Sequence, residues 1–229
     1  MEAFIFIVGI AAIAGGWYWL WRSNNQAQQR MASALGFEVV AQGAEERRPD
    51  PVLGRQYQRL IMIGNIEGRR AEVWSRIVYY RNRKRQALAT VLAMPLGLSG
   101  ELRLRIQPAR LGQMLAFFGN DQPYIPTGDA EFDRVFRVTS TDAETAARLL
   151  TPELRSELLA FQRQITGDMP DSAAGRVAGE FLMGAFELEP GRISYAVPGT
   201  ASERVAGHLK LAAPLLVTFA THVEALFIV

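Results

Sequence analysis

Three sets of residues have the types and spacing to do chemistry. Asp129, Glu131 and Asp133 stand two apart, the spacing with which carboxylates begin a calcium loop. Such a loop also needs Gly at its sixth position and Glu at its twelfth. Arg134 and Ser140 occupy those places, so the sequence predicts turn and surface carboxylates here and no metal ligands. His208 and His222 are the two histidines. On one helix their azimuths differ by only about 40°, but they stand roughly 21 Å apart along the axis, so they cannot share a metal. The third set is Arg81, Arg83, Lys84 and Arg85, four cations within five residues and next to Tyr79 and Tyr80. It supports two main readings, a solvated hairpin tip and contact with an anionic lipid surface. No nucleic-acid reader motif accompanies it, and no nucleic-acid partner is expected.

The usual catalytic constellations are missing. There is no phosphate-cradling G-x-x-x-x-G-K loop, no G-x-G-x-x-G fingerprint and no G-x-S-x-G elbow. With no cysteine in the chain, thiolate catalysis, thiolate zinc sites and disulfides are excluded. The expectation is therefore no catalytic residue, no metal and no cofactor. An enzyme of unidentified class is only the third reading.

The elements that carry these residues begin with an apolar run. Residues 3–21 (AFIFIVGIAAIAGGWYWLW) hold no charged or amide side chain. Nineteen residues at about 1.5 Å each span roughly 28 Å, near the ~30 Å of a hydrocarbon core. Trp17, Tyr18, Trp19 and Trp21 mark the interface at its C-terminal end, with Arg22 beyond. Arg22 and Arg30 follow the run and no Lys or Arg precedes it. That bias favours an uncleaved signal-anchor at a plasma membrane, with the N-terminus outside and the body cytoplasmic. Ala11 with Gly15 and Ala12 with Gly16 form small-residue pairs through which two anchors could pack as a homodimer.

Residues 1–35 are thus expected to be a transmembrane anchor with a polar helical extension ended by Gly36, and residues 36–229 one soluble domain. Alternating patterns predict strands at Phe37–Ala41, Tyr57–Asn65, Arg70–Tyr79, Ala87–Met94, Glu101–Ile106, Phe132–Val138, Glu180–Leu188 and Arg192–Val197. In Glu101–Ile106, Leu102, Leu104 and Ile106 point inward and Arg103 and Arg105 outward. Helices are expected at Arg110–Phe118, after Thr141–Glu144, from Thr151-Pro152 onward, and from Thr200–Glu203 to about Leu226. Gly43–Gly54 and Thr166–Gly179 read as loops. Leu211–Thr221 is apolar but only 11 residues long, bracketed by Lys210, His222 and Glu224, and reads as a buried core helix. The predicted fold class is α+β: an N-terminal single transmembrane helix, then one domain with an antiparallel sheet and helices mainly on one face.

The stretch 127–159 carries a motif, Gly128-Asp129-x-x-Phe132-Asp133-x-x-Phe136-x-Val138, followed by Leu149-Leu150-Thr151-Pro152. In this it resembles a family of bacterial membrane-anchored proteins to which no activity is attached. The resemblance implies the anchored layout and a bacterial source. Read physically, Gly128-Asp129 suits a turn, and Phe132 and Phe136 suit the core. Asp133 suits a backbone or arginine partner.

Charge is unevenly spread. Residues 1–110 carry 16 Lys and Arg against 8 Asp and Glu, and residues 111–229 carry 9 against 15. Taken together, these features predict a single-pass accessory or scaffold protein at the bacterial inner membrane. Its partners are the bilayer, through residues 3–21, and another protein. The alternative is an anionic-lipid sensor using the turn at 81–85.

Overall fold

The computed structural model describes residues 22–40, 48–49, 57–79, 86–97, 100–109, 124–167 and 183–227. The apolar run with its aromatic belt, the basic turn at 81–85, the helix expected at 110–118 and most of the loops expected at 43–54 and 166–179 lie outside these residues.

Residues 22–35 form the first helix, α1. Its end is closed by two backbone bonds, Gly36 N to Ser33 O and Phe37 N to Ala32 O, the paired pattern that satisfies the last carbonyls of a helix. Nine strands follow: β1 (Glu38–Val39), β2 (Arg48–Pro49), β3 (Tyr57–Ile66), β4 (Arg69–Tyr79), β5 (Gln86–Pro95), β6 (Leu104–Pro108), β7 (Phe136–Ser140), β8 (Ala185–Glu189) and β9 (Arg192–Pro198). Four helices complete the described chain: α2 (Ala130–Val135), α3 (Ala143–Leu149), α4 (Pro152–Thr166) and α5 (Glu203–Phe227).

The strands make one sheet in the order β1-β3-β4-β5-β9-β8-β6-β7, with β2 also on β3. Every pairing is antiparallel. The β3–β4 hairpin turns through Glu67 and Gly68, both at positive φ (50° and 80°), the geometry that matches a tight hairpin to strand twist. β5 is apolar on both faces because it is internal, flanked by β4 and β9.

On one face Ala71, Val73, Leu92, Met94, Ile193, Tyr195, Val197, Phe186 and Ile106 meet the helices in a single core. α5 lies across β9, β5 and β3, and α4 packs on α5. Met31 and Ala32 of α1 belong to the same core. Phe161, Phe186, Tyr195 and Phe219 form an aromatic cluster with ring centroids 4.7–5.8 Å apart.

The α+β class and the antiparallel sheet stand, but the expected layout, a transmembrane helix at the N-terminal end ahead of a one-sided sheet, is corrected in two respects. Among the described residues the one helix long and apolar enough to cross a membrane is α5, at the opposite end of the chain. Its most apolar window is 44% buried inside the fold. The expected helix from Thr200–Glu203 to about Leu226 is found as Glu203–Phe227, with the 11-residue apolar stretch in its middle and Pro214 inside it. The second sheet face is buried too: Trp74, Val91, Ala93 and Ala196 form a separate cluster there.

Local corrections follow from side-chain capping. The segment 132–138 is not one strand. Ala130–Val135 is helical because Asp129 caps it, and the strand starts only at Phe136. α3 is capped by Asp142, not Thr141, whose hydroxyl instead accepts from Arg103 N. The amide of Val205, in the first turn of α5, donates to Ser202 Oγ, the role assigned to Thr200. Thr151 caps α4, with Pro152 in its first turn.

Gly184 leads into β8, and its N–H donates to the buried Tyr195 hydroxyl at 2.9 Å. A Cβ there would stand 2.1 Å from Ala196 O, a backbone atom that cannot step aside. Gly184→Ala is therefore expected to lower stability by about 1–3 kcal/mol, the range for overpacking. Urea unfolding checks this, with Gly207→Ala, where a Cβ meets nothing within 4 Å, as the tolerated control.

Candidate functional site

The 128–136 motif is built from its turn upward. Gly128 takes φ +79° and hands the chain to Asp129, whose Oδ1 accepts from Glu131 N and Phe132 N at 3.1 Å. Asp133 accepts from Thr127 N and from Thr127 Oγ1. Arg155 of α4 reaches Asp129 at 3.5 Å, and its Nη1 donates to Thr127 O at 3.4 Å. Phe132 and Phe136 are fully buried, with ring centroids 4.9 Å apart. The carboxylates of Asp129 and Asp133 are thus occupied by backbone amides, a hydroxyl and one guanidinium. Glu131 faces outward, on Arg163 at 2.7 Å. This arrangement fastens α2 and β7 to α4, and it offers no open carboxylate pair.

His208 and His222 both lie on α5, four turns apart, and Arg22 is exposed at the start of α1. Among the described residues no group of three or more His, Cys, Asp or Glu is placed to hold a metal ion. Trp17, Tyr18, Trp19, Trp21 and Arg81, Arg83, Lys84 and Arg85 lie outside the described residues.

The strongest electrostatic feature is on the second sheet face. Cross-strand pairing sets Glu72, Ala93, Ser194, Glu187, Arg105 and Thr139 in one row across the sheet. Arg76 belongs to the second row along on the same face, with Ala89 and Pro198, beyond the row of Trp74, Val91, Ala196 and Ala185. Small residues on β5 and β9 leave a trough along which the Arg76 side chain reaches Glu187 on β8. It donates two parallel bonds, Nη1 to Oε2 at 3.0 Å and Nη2 to Oε1 at 3.1 Å. Arg105 Nη2 adds a third bond to Oε1 at 3.0 Å. The side chains of Arg76 and Glu187 are each 4% exposed and that of Arg105 13%. Glu189 and Arg192 pair beside them. Arg76, Arg105 and Arg192 make further interactions beyond these. Arg105, expected to point into solvent, instead points into this buried face.

Burial alone would raise the Glu187 carboxyl; the two guanidiniums outweigh it and hold the group at about 2. Burial lowers Arg105, with Glu187 opposing that shift. The sequence reading missed this triad because Glu187 and Glu189 alternate with Phe186 and Leu188, the ordinary pattern of a strand with one wet face. The available signal was the run of small residues on strands β5 and β9, which leaves room for long side chains.

A shallow groove lies between α1 and α5. It is lined by Arg30, Met31 and Ala34 on one wall and Glu203, Ala206, Gly207 and Lys210 on the other, with a volume of about 220 Å³. Arg30 and Glu203 face each other across it at 3.6 Å. At the far end of α5, Glu224 takes two bonds from Arg69, at 2.9 and 3.1 Å, and one from Gly97 N at 3.4 Å.

No family model matches the chain, and no curated protein matches it. Its fold is similar to the crystal structure of the mycobacterial trehalose monomycolate transport factor A. The TM-score is 0.50 at 13% identity, over 90% of this chain and 94% of that one. At that identity the likeness speaks for the fold.

The triad makes a pH prediction. The Glu187 carboxyl has an ordinary value of 4.5 and sits at about 2 in the fold. Its stabilisation is full above pH 4.5 and is lost as the pH falls toward 2, to a total of about 3 kcal/mol. Glu187→Gln, which breaks a buried pair, is expected to cost about 3–5 kcal/mol at pH 7. Urea unfolding across pH 2–7 checks both, and the wild-type advantage over the variant should shrink at the acid end.

Proposed function

We propose that this chain is a membrane-associated accessory factor of a transport process, acting by binding other proteins and not by catalysis. The observation that carries the proposal is the likeness of the whole fold, over nearly all of both chains, to a protein named as a transport factor. Support comes from the sequence as well. Residues 3–21 have the composition and length for lipid contact, with an aromatic belt at Trp17–Trp21. Arg22 and Arg30 on one side of that run favour a cytoplasmic body. The motif at 128–136 resembles that of anchored bacterial proteins, which agrees with this reading. The non-catalytic reading is supported by the motif's two aspartates, Asp129 and Asp133, whose carboxylates are spent on amides, a hydroxyl and a guanidinium.

A second reading rests on the four cations at Arg81, Arg83, Lys84 and Arg85. A run this dense draws about 1 kcal/mol per residue from an anionic leaflet when it lies within a Debye length. In this reading the domain senses anionic lipid.

Two measurements separate the readings. Fractionation of cells making the full chain should place it in the carbonate-resistant membrane pellet. Crosslinking and purification from solubilised membranes should recover a transport component, and recovery of the chain alone counts against the accessory role. Replacing Arg83, Lys84 and Arg85 with Gln should leave that recovery unchanged. In the lipid-sensor reading the same change abolishes cosedimentation of residues 22–229 with acidic vesicles.

A further inference from the structure

α5 has an unusual outer face. A helix laid on a sheet ordinarily turns charged residues to water. Here Glu203 opens the outer face, and the outermost positions beyond it are Gly207, Leu211, Pro214, Thr218, Thr221 and Ala225, none of them charged, although Arg69 Nη2 donates to Thr221 Oγ1 at 3.4 Å. Five of the six are exposed and Thr218 is half-buried, while Leu211, at 38% exposure, is one of few exposed large apolar side chains among the described residues. Their spacing alternates four and three residues throughout, the repeat that keeps one seam against a neighbouring helix. The seam runs about 27 Å along the helix.

We propose that this face packs antiparallel against the same face of a second copy of the chain. The seam is symmetric about its midpoint at position 216. Under a two-fold axis there, Gly207 meets Ala225 of the second copy, Leu211 meets Thr221 and Pro214 meets Thr218. An isologous contact requires such self-complementarity. Charge follows the same symmetry: Lys210 of one copy comes within about 3 Å, along the axis, of being level with Glu224 of the other. Glu224 is partly exposed where it holds Arg69, so it can take a second cation. The seam also runs on into the groove beside α1. Gly207 lies on the groove wall with open space at its Cβ position, and Met31, Ala34 and Ala206 line the slot into which the second copy's helix end would settle. A bilayer fits the face less well. An interfacial helix carries several large apolar or aromatic side chains flanked by cations, and this seam offers one leucine. Small residues favour close helix approach instead.

The chain has no cysteine, so introduced thiols report without background. The test uses the full chain in membranes with Thr218→Cys or Ala225→Cys and a thiol crosslinker of about 10 Å reach. In the proposed pairing the two Thr218 positions are offset by roughly 6 Å along the axis and the two Ala225 positions by roughly 27 Å. Thr218→Cys should give a crosslinked dimer and Ala225→Cys should not. The doubly substituted Gly207→Cys, Ala225→Cys chain should recover the dimer. Adding Leu211→Arg, at an exposed site that leaves the fold intact by circular dichroism, should reduce the Thr218→Cys dimer at least tenfold. Equal crosslinking at 218 and 225 would indicate parallel pairing, for example through residues 3–21 alone, and would overturn the proposal. So would absence of the dimer, its survival in Leu211→Arg, or a Thr218→Cys thiol shielded by lipid from aqueous reagents.

Discussion

The pairing of β5 with β9 is the constraint on which the molecule depends. It joins residues 86–95 to residues 192–198, and with them the N-terminal meander β3-β4-β5 to the C-terminal hairpin β8-β9. Without it there would be two short sheets, each too small to cover α5. With it the sheet is continuous from β1 to β7, and α5 can lie across β9, β5 and β3 at once. The Arg76–Glu187 bond crosses the same join on the opposite face, from β4 to β8. One register therefore sets both the apolar core on one side and the charge network on the other.

The uneven charge of the sequence acquires a role in this arrangement. Arg30 pairs with Glu203, Arg69 with Glu224, and Arg76 and Arg105 with Glu187. In each pair the cation comes from the basic first half and the anion from the acidic second half. The exposed Arg30 pair contributes little, since surface pairs are worth ~1 kcal/mol or less. The buried pair at Glu187 is different: a mismatched register would leave a carboxylate or a guanidinium buried alone, which is costly. The halves thus mesh across the sheet instead of separating into a basic and an acidic end.

Much of the local structure was legible in the sequence. The strands expected at Tyr57–Asn65, Arg70–Tyr79, Ala87–Met94 and Arg192–Val197 are found as β3, β4, β5 and β9, and each rests on short-range patterning. Thr151-Pro152 at the start of α4 is of the same kind. Misreadings arose where several side chains competed for one job. Thr141 and Asp142 both suit a cap, and Asp142 takes it because Thr141 is engaged by Arg103 N. The candidate sites were harder to read. Arg105 and Glu187 look like outward charges in alternating strands, and only their burial in the fold reveals that their face is covered. The outer face of α5 was hidden differently. Its span, from Glu203 to about Leu226, and its apolar middle were both legible, but which side of it faces away from the sheet follows only from how the helix lies on β9, β5 and β3.

The β5–β9 join also bears on synthesis. When β5 leaves the ribosome, its partner on the far side is still about a hundred residues from being made. During that interval the meander β3-β4-β5 can close, since its contacts are local, yet β5 keeps an unpaired edge of nearly uninterrupted apolar residues. Such an edge is a template for pairing with another chain. The hazard ends only when β9 arrives, so the nascent first half is the stage at which this protein most needs a chaperone or a slow translation rate.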